Sequence, residues 1–334
     1  MRLLLVVAFL ISILITASFA QTPSEPAAGF SIENIDKSQD PCVDFYQYAC
    51  GNWLKKAEIP ADRSSWVSFE EIEERNLSTL RNILEKAAAG GTGRNPVDQK
   101  IGDYYGACMD EKVVDAKGLD PLKPELDRIA AATDKSALIE AVARVHLIGP
   151  NPLFNFYSSP DLHNADMVIA YIDQGGLTLP DRNYYIKEDD QKMAEMRKQL
   201  VAYVTSLFTL SGQTPQQAAD SAQTVLRIET ALAKASMDRT LRRDPKNRDH
   251  KMARDAAITL APNFYLARYF QDLDTPSFSE LNVSNPDFFK QVNNVIETES
   301  LDALKAYVQW HLLNGAAGWL SQPYVDAISS FSRR

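Results

Sequence analysis

Cysteine and histidine are scarce: Cys42, Cys50, Cys108 and His146, His163, His250, His311 are the whole supply in 334 residues. No Cys-x-x-Cys occurs, which removes a zinc ribbon and a dithiol redox pair. No two histidines lie within five residues of each other. His-Glu-x-x-His, which sets two imidazoles one helical turn apart around zinc, is therefore absent. Gly-x-Ser-x-Gly, the P-loop pattern and Gly-x-Gly-x-x-Gly are missing too, so no nucleophile elbow or phosphate cradle is recognised. Positive charge is never concentrated: no run of five Lys or Arg occurs and the net charge is −9. Nucleic acid is thus not an expected partner. After residue 20 no run of 18 apolar residues could span a bilayer. The sequence nominates no catalytic, cofactor-binding or metal-ligating residue.

What is present begins with a leader. Arg2 gives a positive start, Leu3 to Thr16 is almost unbroken apolar sequence, and Ser18-Phe19-Ala20 offers small residues at a cleavage site before Gln21. A cleavable signal peptide over 1–20 is expected, with a secreted or periplasmic product. The competing reading is a membrane anchor, since Leu3–Ala20 is just long enough to span. A Pro- and Ala-containing linker follows over 21–38, and a domain over 39–334. Export implies an oxidising compartment, where an odd cysteine count leaves at least one thiol without an internal partner. It is either a buried free thiol or one whose partner lies in other sequence.

The rest reads as mainly α. Ser68-Phe-Glu-Glu71 and Thr214-Pro-Gln-Gln217 are capping-box patterns. Asn95-Pro96, Asn285-Pro286 and Ser300 are further helix starts. Val97, Ile101, Tyr104, Tyr105 and Cys108 recur at helical spacing, which places Cys108 on a buried face. Other helices are expected from Ser136, through the stripe Met193 to Leu207, and along Val225, Ile228 and Leu232. Phe154 to Tyr157 and Val168 to Ile172 are rich in strand formers and predict one small β-hairpin, with Ser158 to Asp166 between its strands.

The isolated polar residues have bland readings. His146 and His311 sit on apolar stripes as satisfied core histidines. His163, beside Asp161, is the one histidine placed where a metal could sit, and His250 lies in a basic loop as a solvated side chain. Glu73-Glu74 and Asp189-Asp190 read as solvated faces. Asn76-Leu-Ser78 and Asn282-Val-Ser284 are N-glycosylation patterns if the chain follows a eukaryotic secretory route.

Asp40-Pro-Cys-Val-Asp-Phe-Tyr-Gln-Tyr-Ala-Cys-Gly-Asn-Trp53 resembles the opening of the neprilysin and endothelin-converting-enzyme family almost residue for residue. Ile59-Pro60, Trp66-x-x-Phe69 and Tyr104 with Cys108-Met109 fit the same pattern. Asp173-Gln-Gly-Gly-Leu-Thr-Leu-Pro-Asp-Arg-Asn-Tyr-Tyr185 is a second long signature. Arg243-Asp-Pro245, Ala261-Pro262 and Tyr307-x-x-Trp310-His311 follow in order, so the resemblance runs from about Asp40 to Phe331.

The resemblance implies the N-terminal part of a two-lobed zinc metallopeptidase that cuts peptides on the amino side of apolar residues. The implied chain is a multi-helix lobe closing over a catalytic lobe. The zinc motif belongs to a C-terminal half, so zinc is a cofactor of the complete architecture and none is expected on this chain alone, which is expected to be inactive. Cys42, Cys50 and Cys108 are implied to bridge to positions later than residue 334; losing each such bridge costs roughly 2–5 kcal/mol in small secreted domains. The isolated chain is then expected to be marginal and prone to intermolecular disulfides. The implied partners are peptide substrates and that absent catalytic domain, with membrane contact only if the leader is retained. One position departs from the pattern: an arginine that in neprilysin holds the substrate's C-terminal carboxylate is Ser65 here, and the nearest arginine is Arg63. Two other readings compete: a non-catalytic extracytoplasmic module that binds peptides or proteins, and an unrelated helical hydrolase with an unrecognised site.

Overall fold

The computed structural model describes residues 31–332 apart from 62 and 92. The expected leader, and the linker up to residue 30, lie outside the described residues. The chain divides into two compact units, Met1–Met109 and Asp110–Arg334. Among the described residues no helix is long and apolar enough to cross a membrane.

In the first unit, α1 is Phe45–Leu54, α2 is Ser68–Ala88 and α3 is Pro96–Met109. The Asp44 carboxylate opens α1 by accepting the Gln47 N–H at 2.9 Å. Lys55, after the last turn of α1, donates to Asp36 at 2.7 Å, and this bond with those from Ser38 holds the Asp36 pKa down at about 2. α2 starts one residue earlier than the Ser68 box implied: Val67 is the cap residue and has no side-chain acceptor. Glu70 accepts the Val67 N–H, while Glu71, the acid of the expected box, accepts the Trp53 indole N–H at 2.8 Å. α2 and α3 pack closely at Gly102, where an added Cβ would lie 2.2 Å from the Ala87 carbonyl oxygen. Arg94 donates to that same oxygen at 2.8 Å and so closes the C-terminal end of α2.

The face expected to bury Cys108 is open. Cys108 is exposed, Val97 is 63% and Tyr104 75% exposed, and Gly102 is the buried residue of α3. Periodicity identified an apolar stripe correctly but could not say that nothing in the unit covers it. Val43, Phe45 and Phe69 are also exposed, and all three cysteines are free.

In the second unit, α4 is Glu111–Lys117, α5 Lys123–Ala131, α6 Lys135–Leu147, α7 Asn183–Ile186, α8 Gln191–Leu210, α9 Pro215–Ala235, α10 Arg254–Leu260, α11 Leu266–Asp272, α12 Pro286–Thr298, α13 Leu301–Ala316 and α14 Gln322–Ser332. The strands are β1 Phe154–Asp161, β2 Asn164–Gln174, β3 Lys251–Ala253 and β4 Glu280–Val283. The capping box at Thr214 forms in full: Gln217 Oε1 accepts the Thr214 N–H at 3.1 Å and Thr214 Oγ1 accepts the Gln217 N–H at 3.4 Å. Asn285 and Ser300 cap α12 and α13 through their side-chain oxygens, as expected.

The hairpin is present, with a tighter turn than the polar stretch suggested. Strand pairing runs to Asp161↔Asn164, leaving Leu162 and His163 as the turn. The hairpin is also larger than expected, because β4 adds parallel to β2 and β3 antiparallel to β4, giving the order β1-β2-β4-β3. β3 and β4 have three and four residues. Segments that short carry no readable alternation; β4 forms on the edge of β2, and β3 on the edge of β4.

Helices cover the sheet around a core of edge-to-face aromatics. Phe154 lies 5.0 Å from the ring centroids of His146, Phe264 and Tyr269 and 5.6 Å from Phe289. A second cluster gathers Leu179, Tyr185, Tyr203, Val225 and Trp310 among α7, α8, α9 and α13. The segment joining β2 to α7 runs between these clusters, and a polar cleft opens there.

Candidate functional site

The segment is Asp173 to Tyr185, the second signature. Its course is set by Gly176, whose φ of +69° lies in the left-handed region that favours glycine. An added Cβ there would sit 2.4 Å from Tyr307 Oη. That hydroxyl donates to the Gly176 carbonyl at 2.8 Å and accepts the Leu153 N–H at 3.0 Å. Burial drives the Tyr307 pKa well above its ordinary value, so the phenol keeps its proton.

Beneath the loop lies a buried carboxylate. Glu229, on α9, is 0% exposed. It accepts the Thr178 N–H at 3.0 Å, the Thr178 hydroxyl at 2.7 Å and the Tyr185 hydroxyl at 2.5 Å. The Tyr185 oxygen in turn accepts the N–H groups of Thr178 and Leu179. Trp310 donates its indole N–H to Thr178 Oγ1 at 3.0 Å. Burial, then the adjacent Glu229 carboxylate, pushes the Tyr185 pKa well above the usual phenol value. His311 Nε2 stands 3.5 Å from Glu229 Oε1.

Above the loop is a cleft of about 530 Å³ lined by the loop itself, by Arg239 and Arg242 after α9, and by His311 and Asn314 of α13. Arg242 donates to the buried Asp173 at 2.7 Å, and Tyr157 donates to the same carboxylate oxygen at 3.3 Å. Arg182 closes the C-terminal end of α9 by donating to the carbonyls of Ala233 and Lys234, both at 3.3 Å.

The four histidines stay apart. His146 matches its expected core role: Nε2 donates to the Pro152 carbonyl at 2.9 Å, which leaves Nδ1 to accept the Tyr269 hydroxyl at 2.6 Å. His163 sits exposed on the hairpin turn with Nε2 3.0 Å from an Asp249 oxygen, and Asp161 is taken by Lys251 at 2.8 Å. The expectation of a solvated His250 is corrected: the residue is half-buried, its backbone joins β4, and Nδ1 is buried with no hydrogen-bond partner. His311 is buried as expected, but its Nε2 is not satisfied by a hydrogen bond. Among the described residues no group of three His, Cys, Asp or Glu gathers to hold a metal. The residues present do not fit a zinc site.

In the first unit, Arg63 is committed elsewhere. Its guanidinium pairs with Glu73 and Glu74 and lies 5.7 Å over the Trp66 ring. Ser65 donates to Glu70 at 2.9 Å. Neither side chain is poised as a free carboxylate clamp, and Glu73-Glu74 is exposed as expected while both acids pair with Arg63.

The two glycosylation patterns also separate. Asn76 is exposed, whereas Asn282 is 1% exposed and its amide donates to the Arg248 carbonyl at 2.8 Å. A glycan bonded at that nitrogen has no room in the folded unit. Expressed through a eukaryotic secretory route, the folded product is expected to carry no glycan at Asn282. Peptide mapping after glycosidase treatment checks this, and occupancy at Asn282 in folded protein would contradict the burial.

The sequence profile of peptidase family M13 matches residues 41–334. Human endothelin-converting enzyme 1 is 28% identical over 312 residues, covering 90% of this chain and 40% of that protein. Mouse endothelin-converting enzyme-like 1 is 28% identical over 329 residues, covering 92% and 41%. Among solved structures, the inhibitor complex of the zinc metalloprotease Zmp1 from Mycobacterium tuberculosis superposes with a TM-score of 0.81 at 25% identity, over 91% of this chain and 46% of that one. PepO from Lactobacillus rhamnosis shares the fold with a TM-score of 0.72 at 16% identity, over 87% and 46%. The chain thus spans less than half the length of each of these relatives.

Proposed function

This chain belongs to peptidase family M13, and on that premise we propose that it is the N-terminal, substrate-enclosing region of an exported zinc metalloendopeptidase. In this reading the zinc-binding half lies outside the chain. Residues 1–20 act as a cleaved leader, 21–38 as a linker and 39–334 as the enclosing domain; retention of the leader would tether the protein to a membrane instead.

The observation that carries the reading is the open face of the first unit. Val97 and Tyr104 stand exposed on the helix that carries the free Cys108, with Phe45 and Phe69 exposed on two other helices. Exposed apolar side chains in such number mark a surface that another body covers. Three unpaired thiols in an oxidising compartment point the same way. The proposed cover is the catalytic half, bridged to Cys42, Cys50 and Cys108. In a zinc peptidase the metal supplies Lewis-acid activation of water; none of this chain's residues is assigned a part in that step. Its own contribution is to wall off peptides from bulk water and to hold them. A second reading, a non-catalytic extracytoplasmic binding module, is favoured by one feature, the polar cleft of the second unit.

Reading the gene beyond codon 334 tests the proposal. An in-frame His-Glu-x-x-His is expected, as is chelator-sensitive peptide cleavage by the longer product and none by residues 1–334. A stop codon directly after Arg334 in an intact gene, or chelator-sensitive cleavage by this chain alone, would overturn it.

A further inference from the structure

The second unit's cleft presents several uncommitted hydrogen-bond donors. Arg239 is exposed at the cleft and makes no hydrogen bond or ion pair within the described residues. Arg182 spends Nε and Nη2 on the end of α9 and keeps Nη1. Arg242 spends Nη2 on Asp173. Asn314 accepts from the Tyr203 hydroxyl through Oδ1, so its amide N–H groups remain. Two of the lining acceptors are used: Gln174 Oε1 receives the Met237 N–H and the Asn285 amide, and Asp181 Oδ1 receives the Asn183 N–H. Asp181 is the one acid in the lining, against three arginines. His311 also lines this cleft, but its Nε2 is buried and stands 3.5 Å from Glu229 Oε1, so it is not a contact for a ligand there.

We propose that this cleft is an anchoring site for a peptide carboxylate, with Arg239 as its principal contact. A free guanidinium presents a planar fork that matches a carboxylate in two parallel hydrogen bonds. Arg182, fixed by its bonds to two backbone carbonyls, adds positive charge without having to be reorganised, whereas the charge of Arg242 is balanced by Asp173. The cleft volume of about 530 Å³ accommodates one or two side chains with their backbone rather than a folded partner. The proposal rests on the reading that this chain encloses peptides. It is nonetheless measured on this chain alone, by binding rather than cleavage, so its failure is distinct from the failure of that reading.

The carboxylate has two possible sources, an acidic side chain or a chain terminus. Four fluorescein-labelled hexapeptides of one sequence separate them, carrying Glu or Gln at the centre and a free or amidated C-terminus. Fluorescence anisotropy with residues 1–334 is expected to show binding by at least one carboxylate-bearing peptide. The Gln, amidated peptide is expected to bind about tenfold or more weakly, the equivalent of one charge-assisted contact. Arg239→Ala is expected to erase that difference, and Arg239→Lys to keep part of it because charge remains without the fork. Arg239 is exposed and unpaired, so its replacement should leave the melting temperature unchanged, which is verified on the same samples. Lys290→Ala, at the Asp287 ion pair on α12 outside the lining, controls for net charge and is expected to bind as wild type. Equal binding by all four peptides overturns the proposal. So does wild-type discrimination in Arg239→Ala, or displacement by inorganic phosphate with no preference among the peptides.

Discussion

Glu229→Leu is expected to destabilise the second unit by about 3–5 kcal/mol, the usual cost of removing one member of a buried charged network. The substitution removes the acceptor but leaves the donors. The Thr178 N–H, the Thr178 hydroxyl and the Tyr185 hydroxyl all point at Glu229; without it the two hydroxyls lose their acceptor and the Thr178 N–H keeps only its bond to the Tyr185 oxygen. His311 loses a carboxylate 3.5 Å from its Nε2. The damage spreads because Trp310 holds Thr178 from the other side. Glu229→Gln keeps the size and an acceptor and should cost less, about 1–2 kcal/mol, since bonds to a neutral acceptor are weaker than bonds to a carboxylate. Urea unfolding of the wild type and both variants checks the order. A Glu229→Leu midpoint indistinguishable from wild type would show that the network contributes little.

Acidification is expected to cost stability through His146. Desolvation by burial is the main cause that lowers its pKa from 6.5 to about 4, and the charge of His311 adds to it. In the unfolded chain the imidazole takes up a proton below about 6.5, while in the folded chain it stays neutral until about 4. The unfolded state therefore binds more protons in this window, and stability falls as pH falls through it. Above the unfolded value the contribution is complete. Between pH 7 and pH 5 the loss from this group amounts to about 2 kcal/mol. The bonds explain the direction: Nδ1 accepts from Tyr269 and has no acidic partner to reward protonation. His146→Gln can reproduce one donor and one acceptor without titrating. Its stability should fall about 2 kcal/mol less than wild type over that interval, read from denaturant melts at the two pH values. Parallel losses in both proteins would contradict a neutral, buried His146.

Much of the secondary structure was legible before folding. The helix starts at Asn95, Thr214, Asn285 and Ser300 are local, since a side-chain oxygen reaches an N–H two or three residues on. Such bonds form wherever the chain is helical, and the structure contains each of them. The Ser68 start shifted by one residue: Glu71, the acid its box needs, accepts the Trp53 indole N–H instead, and Glu70 accepts the Val67 N–H, a competition that pattern alone does not rank. The hairpin strands were legible from their β-branched and aromatic content. Their two short partners were not, because three or four residues carry no period of their own.

The cleft was much less legible. The signature over Asp173 to Tyr185 marked the right segment, yet its chemistry depends on residues far away in sequence. Glu229 is an unremarkable acid on a helix until folding seals it beneath Thr178. Arg239 and Arg242 look alike in sequence, and only Asp173 distinguishes them by pairing with Arg242. His311 lay on an apolar stripe, and the same stripe could not say that one ring nitrogen would lack a partner.

The sequence by itself determined the mainly helical class, the hairpin, most helix starts and the family, because these rest on local bonds, short-range periodicity and contiguous motifs. Only the tertiary structure decided that Asn282 is sealed, that Cys108 is open, that Arg63 is spent on Glu73 and Glu74, and that Arg239 is left free. Burial and ion pairing are properties of what folding brings from elsewhere in the chain, and no residue carries that information in its neighbours alone.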